Sequence, residues 1–266
     1  MANNKQFEGL WAVILGGSSG FGFAAVEKLS KHGMNIAVLY RETAQIEKEL
    51  LNNFKKLSSE NSVTILPYNL NALDEDGRQK FLQQFSSTIN KKNCVRLLLH
   101  SIARGNLKPL ISEDDNVLTT DDIQLTSYAM SNSILDWTRL LLKENLFYND
   151  ARIIGLTSEG VEKYWESYAA VSVAKASLKS LAKYMSVEFA KHGLRTNLIQ
   201  AGITETPSLK RIPGSEKLLD FAETRNPFGR ITTPQDVANV IYLLCTDEAE
   251  WINGAVLHVD GGEHCR

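Results

Sequence analysis

LWAVILGGSSGFGFAAVEKL, residues 10–29, changes character at its centre. Residues 10–15 form an unbroken apolar run of the kind that fills a strand covered on both faces. Residues 20–32 read as a helix. Between them runs LGGSSGFG, with Gly16, Gly20 and Gly22 at the bends. Glycine there permits a tight turn, lets the backbone approach a pyrophosphate and brings helix and strand close, while the helix N-terminus offers unpaired N–H groups to an anion. A turn of this composition, taken alone, also suits a plain strand-to-helix connection. Its place on the first strand of an alternating series is the context a dinucleotide site requires.

That series runs outward along the whole chain. Further apolar runs follow at 35–40 (NIAVLY), 62–66 (SVTIL), 95–100 (VRLLLH), 151–157 (ARIIGLT), 194–199 (LRTNLI) and 255–259 (AVLHV). Helical patterns separate them at 43–58, 74–91, 120–144, 165–191 and 234–247, the last with Pro234 placed for a helix start. Seven strands alternating with helices predict an α/β fold: a single-domain, Rossmann-type, doubly wound sheet of mainly parallel strands. Residues 203–226 break the alternation with two prolines inside and Pro227 just beyond, and read as a substrate-binding excursion over a cleft.

Composition narrows the class. With 266 residues, 43% hydrophobic and 23% charged, the chain can bury one sizeable core. Its net charge of -2 comes from interspersed signs, with no basic stripe, so no nucleic-acid partner is expected. The opening MANNKQFEGL has no signal-peptide pattern, and no segment has the apolar length of a membrane span. Cys94, Cys245 and Cys265 fit neither a disulfide framework nor a zinc site, which suits a reducing cytoplasm.

The second strand ends in LYRET. An acidic residue often stands there to hold ribose hydroxyls, but Tyr40 occupies the place and Arg41 follows. A guanidinium suits a 2′-phosphate, so NADPH is favoured over NADH; the other reading of Arg41 is a solvated surface charge. In SYAAVSVAKASLKS, residues 167–180, Tyr168 precedes Lys175 by seven residues, which returns it to the same helical face two turns away. The four-residue position holds Val171, which exchanges no proton.

The glycine turn, the alternating strands, the Tyr168–Lys175 pair and the terminal VDGG at 259–262 together resemble the short-chain dehydrogenase/reductase superfamily over essentially the whole chain. Most of its members place the tyrosine four residues before the lysine. The seven-residue spacing is similar to that of the enoyl-acyl-carrier-protein reductases, and the ordinary glycine spacing to their NADPH-using subgroup. HSIARG (100–105), AGITET (201–206) and VLHVDGG (256–262) agree with the same resemblance.

The resemblance implies a set of roles. Gly16, Ser18, Ser19, Gly20, Phe21 and Gly22 would embrace the pyrophosphate. Tyr40 and Arg41 would face the adenosine ribose, and Asn69 and Leu70 the adenine. Ser101, Ile102 and Ala103 would pass the cofactor ribose. Lys175 would hold the nicotinamide ribose, Gly202 and Ile203 would supply backbone contacts, and Thr206 would meet the nicotinamide amide. Tyr168 is the expected proton donor. Ser158, 17 residues before Lys175, either assists it or is an ordinary serine after a strand. Tyr164 either lines the substrate pocket or packs in a loop. His100 reads as structural rather than catalytic, and His32, His192, His258 and His264 lack metal-ligand spacing, so no metal is assigned.

Leu15 replaces the threonine that often opens the glycine motif, and YAMSNS (128–133) holds Ser131 or Asn132 near the usual active-site asparagine. The activity implied is NADPH-dependent reduction of the double bond of an enoyl thioester, on a carrier protein, in fatty-acid or polyketide synthesis, by a homotetramer or homodimer. A carbonyl reductase of the same superfamily and a silent NADP-sensing or protein-binding module are the alternatives.

Overall fold

The computed structural model describes residues 5–89, 91–113 and 115–266. The apolar runs pair side by side as β1 (Trp11–Leu15), β2 (Asn35–Tyr40), β3 (Ile65–Asn69), β4 (Val95–His100), β5 (Phe147–Thr157), β6 (Leu194–Ala201) and β7 (Val256–Val259). All neighbours are parallel, in the order β3-β2-β1-β4-β5-β6-β7. The crossovers are α1 (Gly20–Lys31), α2 (Ala44–Asn61), α3 (Glu75–Ile89), α4 (Thr120–Ser127), α5 (Ser133–Lys143), α6 (Ala169–Glu188), α7 (Ser215–Arg225) and α8 (Pro234–Cys245).

Successive strand residues point to opposite faces, which sorts the core into two layers. Ile14, Val38, Leu99 and Ile154 pack with α1, α2 and α8 through Val26, Phe54 and Ile241. Val13, Leu39, Leu98 and Ile153 pack on the other face with Phe81 of α3, Trp137 of α5 and Leu178 of α6. The strands lack an alternating polar pattern because both faces are covered. Among the described residues no helix is long and apolar enough to cross a membrane.

Several boundaries differ from those read in the sequence. β3 begins at Ile65 rather than at 62, because α2 runs on to Asn61 and stops at Ser62, which is left-handed with φ 54°. The helix expected at 74–91 spans Glu75–Ile89, with residue 90 outside the described residues. The helix expected at 120–144 is interrupted by a π turn at Tyr128–Asn132. The helix expected from 165 begins at Ala169, since Ser167 is left-handed at φ 57° and Tyr168 is the N-cap residue. The stretch 203–226 contains a helix of its own, α7. Its ends are held from elsewhere: Glu263 accepts from the Ile203 N–H at 3.3 Å and from Arg225 Nη2 at 2.5 Å.

Candidate active site

Strand order reverses between β1 and β4, and at such a switch the carboxyl ends of the strands leave a crevice. A cleft of about 440 Å³ opens there, lined from Gly16 after β1 to Asp260 after β7. Gly16 has φ 85°, and a Cβ on it would stand 2.5 Å from the Ser101 carbonyl oxygen, so only glycine lets this turn pass the end of β4. Ser18, Ser19, Gly20 and Phe21 line the cleft beside it. Gly22 does not: it is buried, and a Cβ there would lie 2.1 Å from the Gly16 carbonyl oxygen. Its part is helix-to-turn packing rather than contact. Ser19, the N-cap of α1, makes no side-chain cap bond, and the first turn carries no acid, so the positive end of the helix faces the cleft uncompensated.

At the end of β2 the Tyr40 hydroxyl donates to Glu47 at 3.4 Å, and burial is the main cause that pushes its pKa up to about 12. Arg41 lies exposed on the cleft rim, in no ion pair among the described residues. Glu42, which the sequence reading passed over, also lines the cleft, and its Oε1 accepts from Ser18 Oγ at 2.8 Å. Asn69 is not turned toward the cleft as expected. Its amide clamps the Glu42 peptide, accepting from the N–H at 3.1 Å and donating to the carbonyl at 3.0 Å. A side-chain amide matches a peptide edge on both sides, which fixes this bend. Leu70, next along, does line the cleft.

Across the cleft, Tyr168 is 8% exposed, and its hydroxyl donates to Ser158 Oγ at 3.2 Å. Ser158 Oγ also accepts from the Gly160 N–H at 3.2 Å. The phenol packs on Trp165, ring centroids 4.9 Å apart. Burial raises the Tyr168 pKa, an effect the Ser158 bond partly offsets, so the group is an acid at neutral pH. Lys175 is buried, donates to the Leu156 carbonyl at 2.7 Å, and is lowered to about 8 by desolvation. Val171 stands buried in the same wall beside Met130, where it closes the four-residue position to proton transfer.

Ser101, Ile102, Ala103, Gly202, Ile203 and Thr206 also line the cleft. The Ile203 N–H is engaged by Glu263, which leaves its carbonyl for any backbone contact with a ligand. Thr206 Oγ1 accepts from the Leu209 N–H at 3.2 Å. Tyr164 is not part of this site: it is 89% exposed and borders a separate hollow with Phe221, because it precedes the left-handed Ser167 and never joins α6. His100 stands outside the cleft lining, 1% exposed. Its Nε2 lies 2.8 Å from Ser133 Oγ, which is also 3.2 Å from the Ala129 carbonyl, so the ring is held in a buried structural hydrogen bond. Burial first, then the charge of Lys175, lowers it to about 3.

Two buried polar atoms of cleft-lining residues, Thr157 Oγ1 and Gln200 Oε1, have no protein partner. Unpaired buried groups are costly, so they fit a polar ligand reaching the floor of the cleft. With the bare helix end at one side and a lysine at the other, the residues present suit a nicotinamide dinucleotide.

The family model described as Enoyl-(Acyl carrier protein) reductase matches residues 16–264. The chain belongs to the enoyl-acyl-carrier-protein reductase family of short-chain dehydrogenases. Among its relatives, the enoyl-[acyl-carrier-protein] reductase [NADH] FabI of Aquifex aeolicus is 30% identical over 263 residues, covering 97% of this chain and 92% of that protein. The crystal structure of that Aquifex enzyme superposes with a TM-score of 0.82 at 25% identity, over 98% of each chain. A tropinone reductase homologue of Arabidopsis thaliana is 24% identical over 98% of this chain and 96% of its own length. Membership makes the molecule an oxidoreductase of a nicotinamide-dinucleotide-dependent reductase family.

Proposed function

We propose that this reductase saturates the carbon–carbon double bond of a trans-2-enoyl thioester on an acyl carrier protein, with NADPH as the reductant. One observation carries the reading: a protonated phenol, Tyr168, faces the cleft seven residues before Lys175, with inert Val171 at the four-residue position. In ketone reduction the proton donor must stand beside the carbon that receives hydride. In conjugate reduction hydride goes to C3 while charge develops on the thioester oxygen two carbons away, so the donor must lie further out.

The α1 N-terminus would hold the pyrophosphate and Lys175 the nicotinamide ribose. Bound there, the nicotinamide supplies the hydride. Tyr168 turns its O–H from Ser158 to the thioester oxygen and stabilises the charge as it forms. The Lys175 ammonium keeps the local potential positive. Trp165, Met130, Val171 and Ile212 exclude water from this end of the cleft. Residues 203–226 act as the substrate-binding cover, since Thr204, Thr206, Leu209 and Ile212 close over the cleft from that segment.

The Aquifex relative carries NADH in its name. NADPH is supported here by Arg41, exposed at the cleft rim with no carboxylate paired to it, while Glu42 is occupied by Ser18. The exposed apolar side chains Leu125 of α4 and Val173, Tyr184 and Val187 of α6 support association of this chain into a homodimer or homotetramer, and the free thiols of Cys94, Cys245 and Cys265 support a reducing, cytoplasmic setting. A second reading, carbonyl reduction, is favoured by the Ser158–Tyr168 bond and by the tropinone-reductase relative.

Oxidation of NADPH and of NADH by purified protein, followed by absorbance with crotonyl and acetoacetyl thioesters, tests the reaction and the cofactor. Turnover with the crotonyl thioester alone, faster with NADPH and reduced at least tenfold in Tyr168→Phe, is expected. Turnover with acetoacetyl alone establishes carbonyl reduction. Tyr168→Phe with unchanged crotonyl activity removes the phenol from the mechanism.

A further inference from the structure

Spacing along the chain shows no metal set among the histidines, yet the fold assembles one at its C-terminal turn. His258 is on β7 and Asp260 two residues later, which returns their side chains to the same side of the extended chain. Gly261 and Gly262, left-handed at φ 62° and 82°, then reverse the chain and bring His264 back over them. The rings of His258 and His264 stack with centroids 3.8 Å apart and planes 23° from parallel. Asp260 Oδ2 accepts from the His264 backbone N–H at 3.1 Å and lies 2.5 Å from its Nδ1. One ligand atom from each of the three residues can be chosen so that all lie within 4.8 Å of one another.

We propose that His258, Asp260 and His264 form a binding site for a divalent transition-metal ion of the zinc type. Two imidazole nitrogens and one carboxylate oxygen suit first-row transition ions, whereas magnesium and calcium require oxygen ligands throughout. Zinc bonds of about 2.0–2.1 Å place neighbouring ligand atoms roughly 3.3 Å apart, so the widest separation must close by up to about 1.5 Å while His264 Nδ1 and Asp260 Oδ2 move slightly apart. His258 is exposed and His264 half-buried, so ring rotation supplies that movement without moving the backbone. As the ion enters, His264 exchanges its Asp260 hydrogen bond for coordination through Nδ1, its proton residing on Nε2, and the same carboxylate becomes a ligand. Water completes the coordination. The ion would brace the turn whose Glu263 holds both ends of the 203–226 cover. This site stands independently of the reductase reading.

The test uses tag-free, full-length protein with Cys265→Ser, so that the exposed thiol beside His264 binds nothing itself. Calorimetric titration with zinc chloride should give one ion per chain, with no heat of binding from magnesium chloride. Cobalt chloride should produce a visible d–d band. His258→Ala and His264→Ala, each added singly, should weaken zinc binding at least tenfold while leaving the far-ultraviolet circular dichroism unchanged. Zinc binding that stays within threefold in both variants, equal binding of magnesium, or no binding at all overturns the proposal.

Discussion

At the scale of single residues, Lys175 is the group whose energetics are most exposed to measurement. Desolvation lowers it from 10.5 to about 8, which corresponds to ~3 kcal/mol of penalty on the buried ammonium. Because the folded value lies below the unfolded one, the unfolded chain holds the extra proton between about pH 8 and 10.5. Stability of the cofactor-free protein is therefore fully reduced below pH 8 and recovers as pH rises through that window. Lys175→Met removes the term. Urea midpoints measured at about pH 7 and pH 9.5 should show wild type gaining on the Lys175→Met variant at the higher pH. Parallel changes in both proteins would refute the assignment.

At the scale of elements, the short helical turn Glu159–Val161 seats the phenol. A Cβ on Gly160 would lie 2.6 Å from Tyr168 Cε1, and the ring has Trp165 behind it, so it must shift to accommodate any larger residue. Gly160→Ala should lower kcat at least tenfold, with dissociation constants for NADPH within about threefold of wild type by fluorescence titration, since the α1 end is untouched. Loss of cofactor binding in equal measure would mean that the turn does more than place Tyr168. The π turn at Tyr128–Asn132 works in the same way on the same wall. The Tyr128 hydroxyl donates to Asp136 and accepts from Arg78, both at 2.8 Å, and the widened turn puts Met130 against Val171.

At the scale of the whole molecule, the C-terminal turn, the loop after β5 and the 203–226 segment, the proposed cover, meet in one buried ion cluster. Arg225 bonds Glu159 through both nitrogens, at 3.1 and 2.6 Å, and Glu263 at 2.5 Å. Removing the Glu263 charge loosens both ends of the cover at once. Glu263→Gln should cost ~2 kcal/mol by urea denaturation. It should also speed tryptic cleavage at Lys210 or Arg211 several-fold, because local opening exposes that segment before global unfolding. Cleavage at the wild-type rate would show that the cover is held by its apolar contacts instead.

The layered sheet, the glycine turn and the displaced tyrosine were legible in the sequence, because each rests on local chemistry: apolar runs, glycine at tight bends, and helical periodicity. Helical spacing put Tyr168 and Lys175 on one side, the family resemblance added Ser158, and the fold joins Tyr168 to Ser158 by a hydrogen bond. Asn69, Tyr164 and Gly22 went elsewhere, each for a reason that spacing cannot express. A backbone edge at Glu42 claims Asn69, a left-handed Ser167 detaches Tyr164 from α6, and the Gly16 carbonyl presses on Gly22. Glu42 at the rim, the cluster around Arg225 and the His258–Asp260–His264 trio belong wholly to tertiary structure. Their members come from separate elements or are turned together by a reversal of the chain, and side chains that meet only through folding leave no periodic trace in the sequence.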